Sequence, residues 1–258
     1  ARQGRRSPAH APQRRPALSR RRRRRPPVVP EVAGRPATDE LLVAERLAAL
    51  RERLARAGGR GVRVVAVTKG FGVEAWRAAS RAGADGIGEN YAQELVAKAA
   101  AWGDAPRPPV HFVGRLQSNK VRAIAPLVDV WETVDRDSLV DEVARRRPGA
   151  RIFVQVNATG EADKGGCAPS ALDALVARAR AAGLDVRGLM VVGPTSGDPV
   201  ATRDAFALVR DAAARLGLPE LSMGMSGDLD AAVAEGTTSV RVGTALFGER
   251  PAATTARN

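Results

Sequence analysis

The chain has 258 residues, 44% hydrophobic and only 3% aromatic, which provides for one large domain or two small ones with a core mostly of Ala, Val and Leu. A single cysteine, Cys167, excludes a disulfide framework and a cysteine zinc cluster, and two histidines, His10 and His111, are too few for a histidine metal site. The net charge of +13 belongs to one end: residues 1–25 hold eleven arginines and no acid, which leaves +2 for residues 26–258.

The first predicted segment, residues 1–36, combines those arginines with Pro8, Pro12, Pro16, Pro26, Pro27 and Pro30. It has too little apolar surface to pack and is read as a disordered tail. An anionic-surface or nucleic-acid arm is one reading. Binding through it would be electrostatic and non-specific, because the tail carries no aromatic residue to stack on bases. A secretory signal is a second reading, but the apolar h-region is missing. The third is an extension without function, of the kind an over-long start assignment leaves, since position 1 is Ala. This third reading is preferred, with no specific nucleic-acid partner. No apolar run approaches the roughly 18 residues of a membrane span, so no membrane partner is expected. One cysteine fits a reducing, cytoplasmic setting.

From Thr38 the pattern turns regular. Thr38-Asp39 reads as an N-cap, and Leu41, Leu42, Leu47, Leu50 and Leu54 keep helical spacing up to Gly58-Gly59. Strands are predicted near 62–68, 85–88, 110–113, 128–133, 151–157, 186–192, 220–223 and 238–242. Helices are predicted near 73–82, 90–101, 118–125, 137–146, 169–182, 199–216 and 227–235. Gly83, Gly183 and Gly236 stand where helix C-caps are expected. Eight strands separated by helices predict βαβ units closed into a single (β/α)₈ barrel over residues 37–250, with an extra N-terminal helix and a short tail at 251–258. A doubly wound open sheet is the alternative. It would place a glycine-rich dinucleotide turn after the first strand, and VTKGFGVEA lacks the third glycine.

In a barrel the chemistry sits at the C-terminal ends of the strands. Strand 1 ends on Lys69, strand 2 on Glu89 and Asn90, and strand 3 runs into Gly114, Gln117 and Asn119. Strand 5 leads to Asn157 and the loop Lys164-Gly165-Gly166, and strand 6 ends on Met190. After strand 7, in SMGMSGDLDAAV, Ser226 and Gly227 open the next predicted helix, whose free backbone N–H groups suit a phosphate. After strand 8, in VRVGTALFG, Gly243 permits close backbone approach and Thr244 adds a hydroxyl. Loops 7 and 8 are the usual phosphate site of this fold. A phosphate there, with a lysine on the neighbouring strand 1, suggests pyridoxal 5′-phosphate (PLP), whose aldehyde forms a Schiff base with lysine. Arg241, inward near the end of strand 8, would face the pyridine nitrogen and donate to it, since arginine does not give up its proton.

VAVTKG, GIGENYAQE, HFVGRLQSNK, the Lys164 loop, GLMVVG and LSMGMSGDLDAAVAEGTTSVRVGTALFGER together resemble the pyridoxal phosphate homeostasis proteins, PLP-binding barrels related in fold to the N-terminal domain of alanine racemase. The resemblance spans about residues 62–250. It implies that Lys69 carries PLP, that Ser226, Gly227, Gly243 and Thr244 bind its phosphate, that Arg241 faces the pyridine nitrogen, and that Asn90 and Met223 line the ring. Gly70-Phe71-Gly72 departs from the bulkier, proline-containing turn of other members. The function implied is PLP homeostasis without catalytic turnover, by a monomer that delivers PLP to apo-enzymes. A PLP-dependent racemase-like enzyme is the alternative. It would need a second acid/base, and His111 is expected to pack in the barrel, Tyr91 follows strand 2, and Cys167 is expected to be inert. Removal of residues 1–30 is expected to leave the melting temperature and PLP content of the protein unchanged; a clear loss of either would make the tail part of the fold.

Overall fold

The computed structural model describes residues 36–249. The readings for 1–35 and for the C-terminal tail lie outside these residues. Eight parallel strands close into a barrel in sequence order: β1 Arg63–Val67, β2 Gly86–Glu89, β3 Val110–Phe112, β4 Val130–Val134, β5 Arg151–Val156, β6 Asp185–Val191, β7 Glu220–Ser222 and β8 Ser239–Val242. The helices are α1 Glu40–Arg56, α2 Val73–Ala82, α3 Ala92–Trp102, α4 Ser118–Ile124, α5 Asp137–Arg146, α6 Leu172–Ala181, α7 Pro199–Arg215, α8 Leu229–Ala234 and α9 Thr244–Phe247. Each strand lies within two residues of its predicted range. No described helix is long and apolar enough to cross a membrane.

Strand alternation sorts the side chains. On β1, Val64 and Ala66 point out to the helices, and on β8 Val240 and Val242 do the same. Arg241 falls between those two and turns into the barrel, in register with Val65. The larger outer cluster joins Trp76, Ile87, Leu95, Phe112, Trp131 and Phe206 around β2 to β7. Inside the barrel Val130, Phe153 and Met190 form a small apolar plug.

The β1–β8 seam explains the extra helix. The helix after β8, α9, has only four residues and was not predicted. α1 covers the seam instead, setting Val43, Leu47, Leu50 and Leu54 against Val64, Ala66, Val240 and Val242. Its N-cap is Asp39, whose Oδ1 accepts from the Leu42 backbone N–H at 2.9 Å.

The helix predicted from 227 begins at Leu229. Asp228 holds the preceding turn open: its Oδ1 accepts from the Met225 N–H at 2.5 Å, and its own N–H donates to the Met225 carbonyl at 3.3 Å. This local competition with helical bonding leaves Ser226 and Gly227 in a turn.

Between β6 and β7 the backbones approach so closely that a Cβ at Gly188 would lie 1.9 Å from the Glu220 carbonyl oxygen. Gly188→Ala is therefore expected to push β7 off β6 and to lower stability by about 1–3 kcal/mol, measured by urea unfolding.

Candidate functional site

Seven of the eight sequence-chosen residues meet in one place. Lys69, Asn90, Ser226, Gly227, Arg241, Gly243 and Thr244 line a single cavity of about 520 Å³ at the C-terminal end of the barrel. That volume lies within the range of sites for small ligands and cofactors. The eighth, Met223, is fully buried in the outer core. Met225, two residues on, lines the cavity and is 40% exposed. Val67, Phe71, Val113 and Val192 complete an apolar wall, with Phe71 packed on Phe247 at 5.4 Å between ring centroids.

Lys69 is half-buried and leaves the barrel two residues after β1. The backbone on either side of it is pinned. The buried Lys98 ammonium on α3 donates to the Thr68 carbonyl at 2.8 Å and to Glu89 Oε1 at 2.7 Å. Thr68 Oγ1 and Trp76 Nε1, the latter at 2.8 Å, donate to the same Glu89 oxygen. On the far side, the Gly70 N–H donates to Glu94 Oε2 at 2.9 Å. The motif reading placed Glu89 at this rim. It missed Lys98, which looks like an ordinary solvent-facing lysine in AQELVAKAAAW.

Arg241 is fixed at the floor. Its guanidinium donates to Ser222 Oγ at 2.5 Å and to the Val191 carbonyl at 2.7 Å, and stands 3.8 Å from Glu132. Glu132 accepts from Ser222 at 2.6 Å and lies 2.5 Å from His111 Nδ1. Burial works against ionisation of Glu132, but the His111 hydrogen bond and the charges of His111 and Arg241 prevail and hold its carboxyl below the usual range. Burial also pulls Arg241 below the ordinary arginine value, opposed by Glu132 and Asp228. His111 is thus packed in the barrel, as expected. Glu132 and Ser222 were not foreseen; the available signal was a polar residue at inward parity in VWETV and ELS.

The turns after β7 and β8 touch. The Ala245 N–H donates to Ser226 Oγ at 3.3 Å, which joins the two loops. A Cβ at Gly243 would stand 3.2 Å from the Val67 carbonyl, so a side chain there would crowd β1. A Cβ at Gly227 would meet nothing within 4 Å and would project into open space. At the other wall, Asn90 Oδ1 is buried without a hydrogen-bond partner, an acceptor available to a ligand donor. Gly114 lets the Asn90 backbone sit close, since a Cβ there would lie 2.1 Å from the Asn90 carbonyl.

The remaining candidates stand apart. Lys164 is paired with Glu161 and donates to the Gly193 carbonyl. The hydrogen bond from Lys164, ahead of the opposing effect of partial burial, holds Glu161 down to about 2. The Cys167 thiol is buried and pushed up to about 11, mainly by desolvation and then by Asp135, so it is a poor nucleophile. Tyr91 lines the adjoining cavity.

A cavity with one lysine, one anchored arginine, two linked small-residue turns and an unpaired acceptor fits a phosphorylated aldehyde such as PLP. The family model for the N-terminal domain of alanine racemase matches residues 43–251. A pyridoxal phosphate homeostasis protein of Pseudomonas aeruginosa is 42% identical over 221 residues, covering 81% of this chain and 96% of that protein. PipY of Synechococcus elongatus, in its PLP-bound structure, is 37% identical with a TM-score of 0.71, covering 80% of this chain and 100% of that one. Its structure without PLP gives 38% and 0.74 at the same coverage. A shared length and identity of this order, over a barrel of the same design, place the chain in the pyridoxal phosphate homeostasis protein family.

Proposed function

We propose that this protein binds PLP on Lys69 and holds it for intracellular PLP homeostasis without catalytic turnover. The observation that carries the reading is the convergence of Lys69, Arg241 and the linked β7 and β8 turns on one cavity. When bound, PLP supplies an aldehyde that forms a Schiff base with a lysine amine and releases water. The chain's own residues do the rest. Ser226, Thr244 and the backbone N–H groups of Gly227 and Gly243 hold the phosphate, and Asn90 Oδ1 accepts from a ring substituent. Met225 takes the ring-lining place first assigned to Met223. Arg241, held by Ser222 and Val191, donates to the pyridine nitrogen and keeps it unprotonated, which makes the ring a poor electron sink.

Lys69 and Arg241 are the cationic groups among the described residues lining this cavity, and no acid, histidine or tyrosine joins them there. That supports a carrier over the racemase-like alternative, which needs a second acid/base facing the lysine. In this reading the carrier is a monomer whose barrel over 37–250 suffices for binding. Apo PLP-dependent enzymes are the recipients in this reading, in a cytoplasmic setting.

Lys69→Ala is expected to abolish borohydride-reducible attachment of PLP while leaving the melting curve cooperative, because a half-buried rim lysine contributes little packing. Peptide mass spectrometry after reduction reads the outcome, and a reduced adduct surviving in the variant would remove Lys69 as the principal site. The PLP-bound protein is also expected to show no amino-acid racemase or transaminase turnover near the roughly 1–10³ per second of typical enzymes. The check is to follow chirality and keto-acid production over a panel of L-amino acids. Sustained turnover that Lys69→Ala abolishes would make the protein an enzyme.

A further inference from the structure

A second cavity opens beside the first on the same face of the barrel, with a volume of about 790 Å³. Asn90 belongs to the walls of both. The second lies over the ends of β2 to β4, while the turns assigned to phosphate in the first follow β7 and β8. Nothing in the proposed handling of PLP uses it.

Its charge is unbalanced. Asp135 is fully engaged: Oδ1 accepts from Arg136 at 2.7 Å and Oδ2 from the Gly166 N–H at 3.1 Å. Arg136 also donates to the Leu116 carbonyl at 2.7 Å, so this pair is neutral and fixed. Arg115 and Lys120 remain. Both line the cavity, and neither has an ion-pair partner among the described residues. Lys120 is half-buried, so its charge is partly withdrawn from water without compensation. The two cations match the charge of a phosphomonoester dianion. Tyr91 also lines this cavity, 49% exposed and one of the few large apolar faces that the described chain leaves open. An aromatic ring and two cations lining one cavity are the groups that stack a planar ring and neutralise its phosphate.

We infer that this cleft binds a small aromatic phosphomonoester, with Arg115 and Lys120 on the phosphate and Tyr91 against the ring. Two sources share that chemistry, a nucleoside monophosphate and a phosphorylated pyridine. The inference does not depend on PLP occupying the first cavity.

Calorimetric titration of the full-length, PLP-loaded protein tests it. The probes are AMP, adenosine, pyridoxamine 5′-phosphate and inorganic phosphate; pyridoxamine phosphate has no aldehyde to react with a lysine. Saturable binding of AMP or of pyridoxamine phosphate is expected, and the stronger of the two identifies the source. Adenosine is expected to bind at least about tenfold more weakly than AMP if the nucleotide is the ligand. Arg115→Ala/Lys120→Ala is expected to weaken the phosphate ligand by about tenfold or more, corresponding to about 1.4 kcal/mol, with PLP content unchanged. Tyr91→Leu is expected to weaken it severalfold and to leave inorganic phosphate unaffected. Failure of both organic phosphates to bind would overturn the inference, as would undiminished binding by the double variant. Inorganic phosphate binding as tightly as either ester would overturn the role of the ring. Loss of PLP from Lys69 is read separately, from the cofactor absorbance, and bears only on the function proposed above.

Discussion

A guanidinium inside a closed barrel is the constraint on which the rest of this site depends. Arg241 cannot shed its charge and is only 5% exposed, so the barrel must supply partners from several strands at once. Glu132 comes from β4, Ser222 from β7 and the Val191 carbonyl from β6, all meeting the side chain from β8. Removing one member of such a group leaves the others buried and unpaired, which costs several times what the intact pair contributes. The geometry of the floor is therefore rigid. The base of the cavity thus presents a guanidinium held in one direction.

The lysine is set by a second buried group with the same logic. Lys98 neutralises Glu89 and grips the Thr68 carbonyl, and Trp76 and Thr68 occupy the same carboxylate oxygen. Glu94 restrains Gly70 from the other side and also approaches Lys98 at 3.5 Å. Lys69 thus projects from a backbone fixed at both neighbours. A turn of small residues, Gly70 and Gly72, becomes compatible with precision because its anchoring comes from α2, α3 and β2. The two charged groups lie in different regions of the barrel: one around Arg241 within it, one around Glu89 at the outer face of β2. Between them runs the cavity that both shape.

Family membership and this geometry bear on different questions. Membership, at 42% identity to the Pseudomonas aeruginosa protein and over nearly its whole length, settles descent and fold. The arrangement of groups speaks to chemistry. One face of the barrel carries a cavity with lysine and arginine and, across Asn90, a second cavity with unbalanced positive charge. The two cavities share the Asn90 wall, and the second lies away from the turns that follow β7 and β8.

The sequence by itself determined the order of elements, the barrel and most of the site. Alternation over two residues and helical spacing are local signals, and the ends of strands follow from them, so Lys69, Asn90, Ser226, Gly227, Arg241, Gly243 and Thr244 could be placed on one rim before any contact was known. Only the tertiary structure decided which of two methionines in SMGM faces the cavity, because Gly224 adopts a φ of +96° and turns the chain between them. Only it revealed Lys98, Glu132 and Ser222 as partners: their neighbours are up to 109 positions away in the chain, and closure of the barrel brings them within bonding distance. It also decided that α1 covers the β1–β8 seam, since a four-residue α9 cannot. Local pattern fixes where a side chain stands along its own strand; what it faces is set by the curvature and register of seven other strands, which no local pattern contains.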